Sequence, residues 1–177
     1  MSIRKSVSVT SLSAYMDEID SLYFHEEVVL FRGQDCRRNL VPGIWRNNEK
    51  FSIAAEKRMF NEFQLQAAAY LGGEMTDMDT LIVAQHHGLK TRLLDWSGNA
   101  LAAMWFACQA PGDKSRYVYM LGADEMVEDD YSAVNPFKPG KTVVIQPSAA
   151  NARVRAQTGW FTVHNYARKQ FLPLESN

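Results

Sequence analysis

The chain has 177 residues, a charged fraction of 22% and a formal net charge of -1, a balance that argues against a protein that coats DNA or RNA through a basic excess. Hydrophobic residues make up 46%, with four Trp, nine Phe and seven Tyr, so a single domain over 1–177 can bury a core without staples. No run approaches the roughly 20 apolar residues of a membrane span and no signal-peptide pattern opens the chain, so a cytoplasmic protein with no membrane partner is expected.

In chain order, Thr10 or Ser11 can cap a helix whose apolar positions are Leu12, Tyr15, Met16, Ile19, Leu22 and Tyr23, the three-and-four spacing of a one-faced helix. Val28-Val29-Leu30-Phe31 then reads as a central strand, apolar on both faces and stopping at Arg32-Gly33. An arginine-rich loop follows, with Arg32, Arg37, Arg38 and Arg46 around Pro42-Gly43. Ser52 opens the longest helix, which runs to Tyr70 or Leu71 with Ile53, Phe60, Phe63, Ala67 and Tyr70 as its buried stripe. Glu56 lies on the same stripe. A carboxylate there needs a partner, because a buried unpaired charge is expensive, and Arg32 and Arg92 are the candidates.

Asp77 can cap a third helix ending at Gly88, and Leu89 to Trp96 is too polar in its middle to continue it. Asn99 to Gln109 is apolar nearly all round and predicts a buried helix, with Cys108 as a buried small hydrophobe. Two isolated cysteines, Cys36 and Cys108, make no disulfide framework, and the absence of finger spacing argues against zinc. Strands are expected at Tyr117–Leu121, Thr142–Ile145 and Trp160–Val163, with an acidic, solvated loop (Asp124, Glu125, Glu128, Asp129, Asp130) between the first two. Helices gather early and strands late. The expected class is therefore α+β, with N-terminal and central helices packed on a mixed, mostly antiparallel sheet.

The polar residues that look out of place gather in Gln85-His86-His87-Gly88-Leu89-Lys90-Thr91-Arg92-Leu93-Leu94-Asp95-Trp96. Two histidines at a helix end suit acid–base chemistry or simple capping. Arg92 and Asp95, three apart, either pair as a brace or share a ligand. Trp96 and Trp105 are expected in the core rather than as a stacking platform. Adjacent histidines on a helix point about 100° apart, so no metal is predicted. Arg32, immediately after a buried strand, sits where an open sheet presents a ligand cleft. It suits a bidentate phosphate contact as well as it suits a structural pair with Glu56.

These residues carry a resemblance. Phe31-Arg32-Gly33-Gln34, Leu40-Val41-Pro42, Glu56, Phe63, the block from Gln85 to Trp96, Ala103–Ala107 and Arg155-Ala156-Gln157-Thr158-Gly159-Trp160-Phe161-Thr162 resemble the FRG-domain family. Lys90 stands where that family tends to have proline, Ser97–Ala100 departs from a Thr-x-x-Pro-like stretch, and the chain stops where a further helical part is expected, as a truncated or minimal member would. The resemblance implies a bacterial or phage origin and a role in conflict and defence. Through the strand–Arg–Gly opening, it also implies an ADP-ribosyltransferase-like fold with NAD as substrate. On that implication Arg32, Gly33, Gln34, Gln85 and Thr91 bind the nucleotide, while His86, His87, Arg92, Asp95, Gln157 and Glu56 form the catalytic set. The late glutamate of such transferases has no evident counterpart. Three functions follow: an NAD-consuming enzyme; a non-catalytic module binding a nucleotide, small molecule or protein partner at the same cleft; and a nucleic-acid hydrolase or modifier using His86, His87 and the loop arginines, which the near-zero net charge disfavours.

Overall fold

The computed structural model describes residues 6–22, 26–46, 51–68, 75–147, 159–167, 170–171 and 174. Helix α1 (Leu12–Leu22) starts where the Ser11 hydroxyl accepts from the Ala14 amide (3.1 Å) and buries Tyr15 and Ile19. Strand β1 (Val29–Gln34) follows. Its Val29 and Phe31 enter one apolar cluster with Tyr15, Ile19, Ala100 and Ala103, and Leu30 enters a second with Leu40, Leu94, Trp96 and Leu121. The run is thus apolar on both faces because each face meets a different layer.

Helix α2 (Ile53–Ala67) is capped by Ser52, whose hydroxyl accepts from the Ala55 amide. Its inward side is carried by Glu56 and Phe60, with Ile53, Phe63 and Ala67 half-buried. Tyr70 and Leu71 lie outside the described residues. Helix α3 (Asp77–His86) opens one residue earlier than expected: Thr76 rather than Asp77 is the cap, because Asp79 sits three positions on and completes a reciprocal capping box. At its other end Gly88 takes φ +89, which lets the Leu89 amide reach the Ala84 carbonyl and the Gly88 amide reach Gln85. This is the Schellman closure that glycine permits.

The stretch expected only to break the helix is β2 (Leu93–Ser97), the middle strand of the sheet. Two further corrections concern α4 (Ala100–Ala107), capped by the Asn99 side chain. It buries Ala100, Ala103 and Ala107 but leaves Leu101, Trp105 and Phe106 exposed, with Trp105 58% accessible. Cys108 is exposed too. Small residues, not large ones, face the sheet, because a Cβ on Gly33 would stand 1.8 Å from the Ala103 carbonyl oxygen. Strand and helix backbones approach so closely that only alanines fit between them, and the bulky side chains are turned outward. Trp96, by contrast, is buried and donates to the Thr162 hydroxyl (3.1 Å).

The remaining strands, β3 (Tyr117–Gly122), β4 (Val143–Ile145) and β5 (Gly159–Val163), complete a five-stranded sheet ordered β3-β1-β2-β5-β4, and a small hairpin pairs β6 (Tyr166–Ala167) with β7 (Gln170–Phe171). Every paired strand is antiparallel, with one isolated parallel bridge between Val127 and Val144. With four α-helices beside this sheet among the described residues, the fold is α+β. In the acidic loop, the Asp124 carboxylate accepts from the amides of Glu27 and Val28 (2.9 and 2.7 Å). Those bonds hold its carboxyl below the ordinary range and clamp the entry to β1.

The register of the sheet is uneven. Strand β1 follows β3 over six pairs, from Val29–Gly122 to Gln34–Tyr117, and β2 follows β5 over five. Between β1 and β2 only Phe31 and Ser97 are in register. Past that point the two halves part, and the candidate site lies at the parting.

Candidate functional site

Arg32 leaves β1 on the face of Leu30, where the two halves separate. Its Nη1 donates to the backbone carbonyl of Asp95 (2.6 Å) and lies 3.7 Å from a carboxylate oxygen of the same residue. A carbonyl that would otherwise await a neighbouring strand is thus satisfied by a side chain. The side chain is only 16% exposed, and its Nε is buried with no hydrogen-bond partner among the described residues. Burial pulls its pKa down to about 10, opposed by Asp95 and reinforced by the positive charges of Arg46 and Arg38. Arg46 is depressed by its own burial and by Arg38, and its Nε donates to the Val41 carbonyl. Arg38 pairs with Asp35, and its carbonyl accepts from the Tyr119 hydroxyl (3.1 Å). Tyr119 is the register partner of Arg32, so the arginine loop folds back over the face that Arg32 occupies.

On the other side of the parting, Asp95 is 63% exposed, and one carboxylate oxygen accepts from Gln85 Nε2 (2.7 Å). The Thr91 hydroxyl donates to Gln85 Oε1 and itself accepts from the Leu93 amide (3.0 Å). The chain Leu93 amide, Thr91, Gln85, Asp95 therefore runs from the backbone of β2 to a solvent-facing carboxylate, and each member fixes the next. The Schellman turn at Gly88 brings α3 back beside β2 and makes the chain possible.

Arg92 is placed elsewhere. It is fully buried, donates through Nε to Glu56 (2.8 Å) and through Nη2 to the second oxygen of that carboxylate, and reaches the His164 carbonyl through Nη1 (3.4 Å). The rings of Phe137 and Phe171 lie 5.7 and 5.6 Å from its guanidinium carbon. Of the pairings open from the sequence, Glu56 takes Arg92 and Asp95 takes Arg32, so the Arg92–Asp95 and Arg32–Glu56 pairs do not form. A bidentate ion pair between aromatic rings ties α2 to β2 and to the C-terminal hairpin. It has no open side through which a ligand could enter.

The two histidines separate as helix geometry requires. His87 is the exposed C-cap of α3, its ring 6.4 Å from Phe63. His86 is half-buried, and its Nε2 is buried with no partner among the described residues. Gly33 packs against α4 rather than offering its backbone to solvent. Gln34, 5% exposed, has neither amide atom hydrogen-bonded among the described residues. Gln157 lies outside the described residues. Arg38 and Arg46 were absent from the site set expected from sequence. The signal that could have found them is the density of arginine between β1 and α2, on a loop that must return to the sheet.

Larger hollows lie away from this place. One of them, about 610 Å³, is lined by Met16, Ile19, Asn99, Ala100, Gln146 and Trp160 among others, and by neither Arg32 nor Asp95. Among the described residues no group of three or more His, Cys, Asp or Glu is disposed to hold a metal, and no helix is long and apolar enough to cross a membrane.

No curated protein matches the chain, and no solved structure does. A family model described as the FRG domain matches residues 27–116, just over half of the 177. The match opens two residues before β1 and closes just before β3, so it contains Arg32, the arginine loop, the Glu56–Arg92 brace and the Thr91–Gln85–Asp95 chain. On that match the chain belongs to the FRG-domain family.

Proposed function

We propose that this FRG domain binds the pyrophosphate of NAD through Arg32 and cleaves the bond between nicotinamide and ribose, as an ADP-ribosyltransferase-like or NAD-cleaving enzyme. One observation carries the reading: a nearly buried guanidinium, its Nε without a partner among the described residues, stands beside Arg46 and the Asp35-paired Arg38, and the Asp95 carboxylate near it is 3.7 Å away and points to solvent. Such a cluster holds excess positive charge in a poorly hydrated place. A phosphate group relieves that excess through charge-assisted, bidentate hydrogen bonds.

In this scheme Asp95 is the catalytic residue. As nicotinamide leaves with the bonding electron pair, positive charge grows on the ribose ring, and a fixed carboxylate stabilises it. Water then adds at the same carbon and gives up a proton, giving ADP-ribose and nicotinamide. Gln85 and Thr91 are positioning residues for Asp95. His86 is the candidate acid–base group, since its inward Nε2 is uncommitted, and the Glu56–Arg92 pair holds β2 in place from behind. We set this activity in conflict between bacteria and phages on the family resemblance alone.

A second reading, a binding module without turnover, is favoured by a different observation. Glu56 is consumed by Arg92, which leaves Asp95 as the one carboxylate at the parting among the residues named for catalysis. Thermal denaturation with NAD and with ADP-ribose, run beside Arg32→Ala and with nicotinamide release assayed on the same samples, separates the readings. Stabilisation that vanishes in the variant supports the phosphate site, and nicotinamide release supports the enzyme. Stabilisation without release supports the module, and neither effect removes NAD from consideration.

A further inference from the structure

Gln34 is the least explained residue of β1. It sits two positions beyond Arg32 and therefore on the same face of the strand, about 6.7 Å further along. It is 5% exposed, yet neither Oε1 nor Nε2 has a hydrogen-bond partner among the described residues. A buried primary amide with nothing to bond to costs free energy, and an apolar side chain of the same shape would avoid the cost. The neighbouring Arg32 Nε is in the same condition. Two adjacent groups on one strand face thus hold unused donors and an unused acceptor, beneath the segment that Tyr119 fastens through the Arg38 carbonyl.

We propose that Gln34 is a specificity-determining residue that reads a planar edge carrying a donor next to an acceptor, on the same ligand whose phosphate Arg32 holds; the inference rests on the phosphate reading above. An amide matches such an edge with two antiparallel hydrogen bonds, as one carboxamide matches another or matches the amino and ring-nitrogen edge of adenine. A phosphate and such an edge, spaced by two positions on one strand face, define a mononucleotide unit. The edge is either a pyridine carboxamide or an adenine. Because the Gln34 atoms are closed off from solvent, the ligand enters as the 35–46 segment shifts, at the expense of its contacts from Ile44 to the Thr91 carbonyl (3.2 Å) and from Tyr119 to Arg38.

The test is calorimetric titration of the whole chain with ribose 5-phosphate, AMP, nicotinamide mononucleotide and nicotinic acid mononucleotide, for wild type, Gln34→Met and Gln34→Glu. Wild type is expected to prefer AMP or nicotinamide mononucleotide over ribose 5-phosphate by about tenfold or more, and whichever is preferred identifies the edge. Nicotinic acid mononucleotide, a carboxylate in place of the amide, should fall to the ribose 5-phosphate level. Gln34→Met should keep the ribose 5-phosphate affinity, lose the preference, and unfold at a higher denaturant concentration than wild type, because the unmet amide is gone. Gln34→Glu should lose the preference as well. If Gln34→Met retains the preference, or unfolds earlier than wild type, the inference is wrong. If wild type binds ribose 5-phosphate with no preference among the others, the Gln34 reading alone falls. If it binds none of the four, the phosphate reading falls and takes this one with it.

Discussion

Replacing Arg32 by methionine removes a charge that the fold holds at a cost, and the expected result is a more stable protein that no longer responds to nucleotide. Burial lowers the pKa of this guanidinium to about 10, a shift that corresponds to about 3 kcal/mol of destabilisation at pH 7. Methionine also forfeits the hydrogen bond to the Asp95 carbonyl, worth about 1 kcal/mol. The net expectation is a variant about 1–2 kcal/mol more stable, or roughly 2–8 °C higher in Tm for a chain of this size. The pH dependence has a definite sign. A folded pKa depressed below the unfolded one means that the folded state binds the proton less tightly, so the penalty is complete below about pH 10 and disappears as the pH climbs from there toward the ordinary guanidinium range. Urea denaturation at pH 7 and at pH 10.5 should therefore show a gap between variant and wild type that narrows at the higher pH, while thermal shifts with NAD vanish in the variant at pH 7. A variant less stable than wild type at pH 7, or a gap indifferent to pH, would refute the argument that Arg32 is held against the fold's own interest.

Other substitutions probe the scaffold. Glu56→Ala leaves the Arg92 charge buried between Phe137 and Phe171 and should cost about 3–5 kcal/mol in urea unfolding. The double variant Glu56→Leu, Arg92→Met should recover most of that loss, and a double variant as damaged as the single one would show that the pair is needed for more than charge balance. Gly33→Ala places a methyl 1.8 Å from the Ala103 carbonyl oxygen and is expected to cost about 3 kcal/mol or more; circular dichroism and denaturation of the purified variant would show it, and wild-type stability would contradict the close approach of β1 to α4. Trp105→Ser, on the exposed face of α4, should change stability by no more than about 1 kcal/mol, and a loss beyond twice that would return Trp105 to the core.

The elements whose residues face one environment were legible in the sequence. Tyr15 and Ile19 repeat at helical spacing against water-facing acids, and Ser52 stands where a cap must. The run at 143–145 is apolar on both sides, and both its faces are buried. What the sequence hid has a physical cause in each case. Strand β2 was obscured because Arg92, a charge in its approach, is solvated by Glu56 from 36 residues away, and no local pattern announces such a partner. Helix α4 misled because hydrophobicity alone does not say which side faces in; the decision was made by Gly33, seventy residues earlier, whose lack of a side chain sets the distance at which only alanines fit. For the site, Arg32 and the Gln85–Asp95 chain were visible as polar residues in expensive places. Their sorting into one brace and one open pair was not, since Arg32 and Arg92 offer the same chemistry to the two carboxylates and only the register between β1 and β2 distinguishes them.

That register has one more consequence. A sheet joined in its middle by a single matched pair has inner margins as well as outer ones, where the ladder bonds of the flanking strands stop. The side chain of Arg32 caps a main-chain group there, the Asp95 carbonyl, and keeps a charge at the mouth of the gap. A ligand that draws the guanidinium toward its phosphate leaves the Asp95 carbonyl without this donor. The methionine variant, more stable in isolation, would lack the donor permanently, so its gain in folding stability is expected to come with a lower solubility limit at high protein concentration.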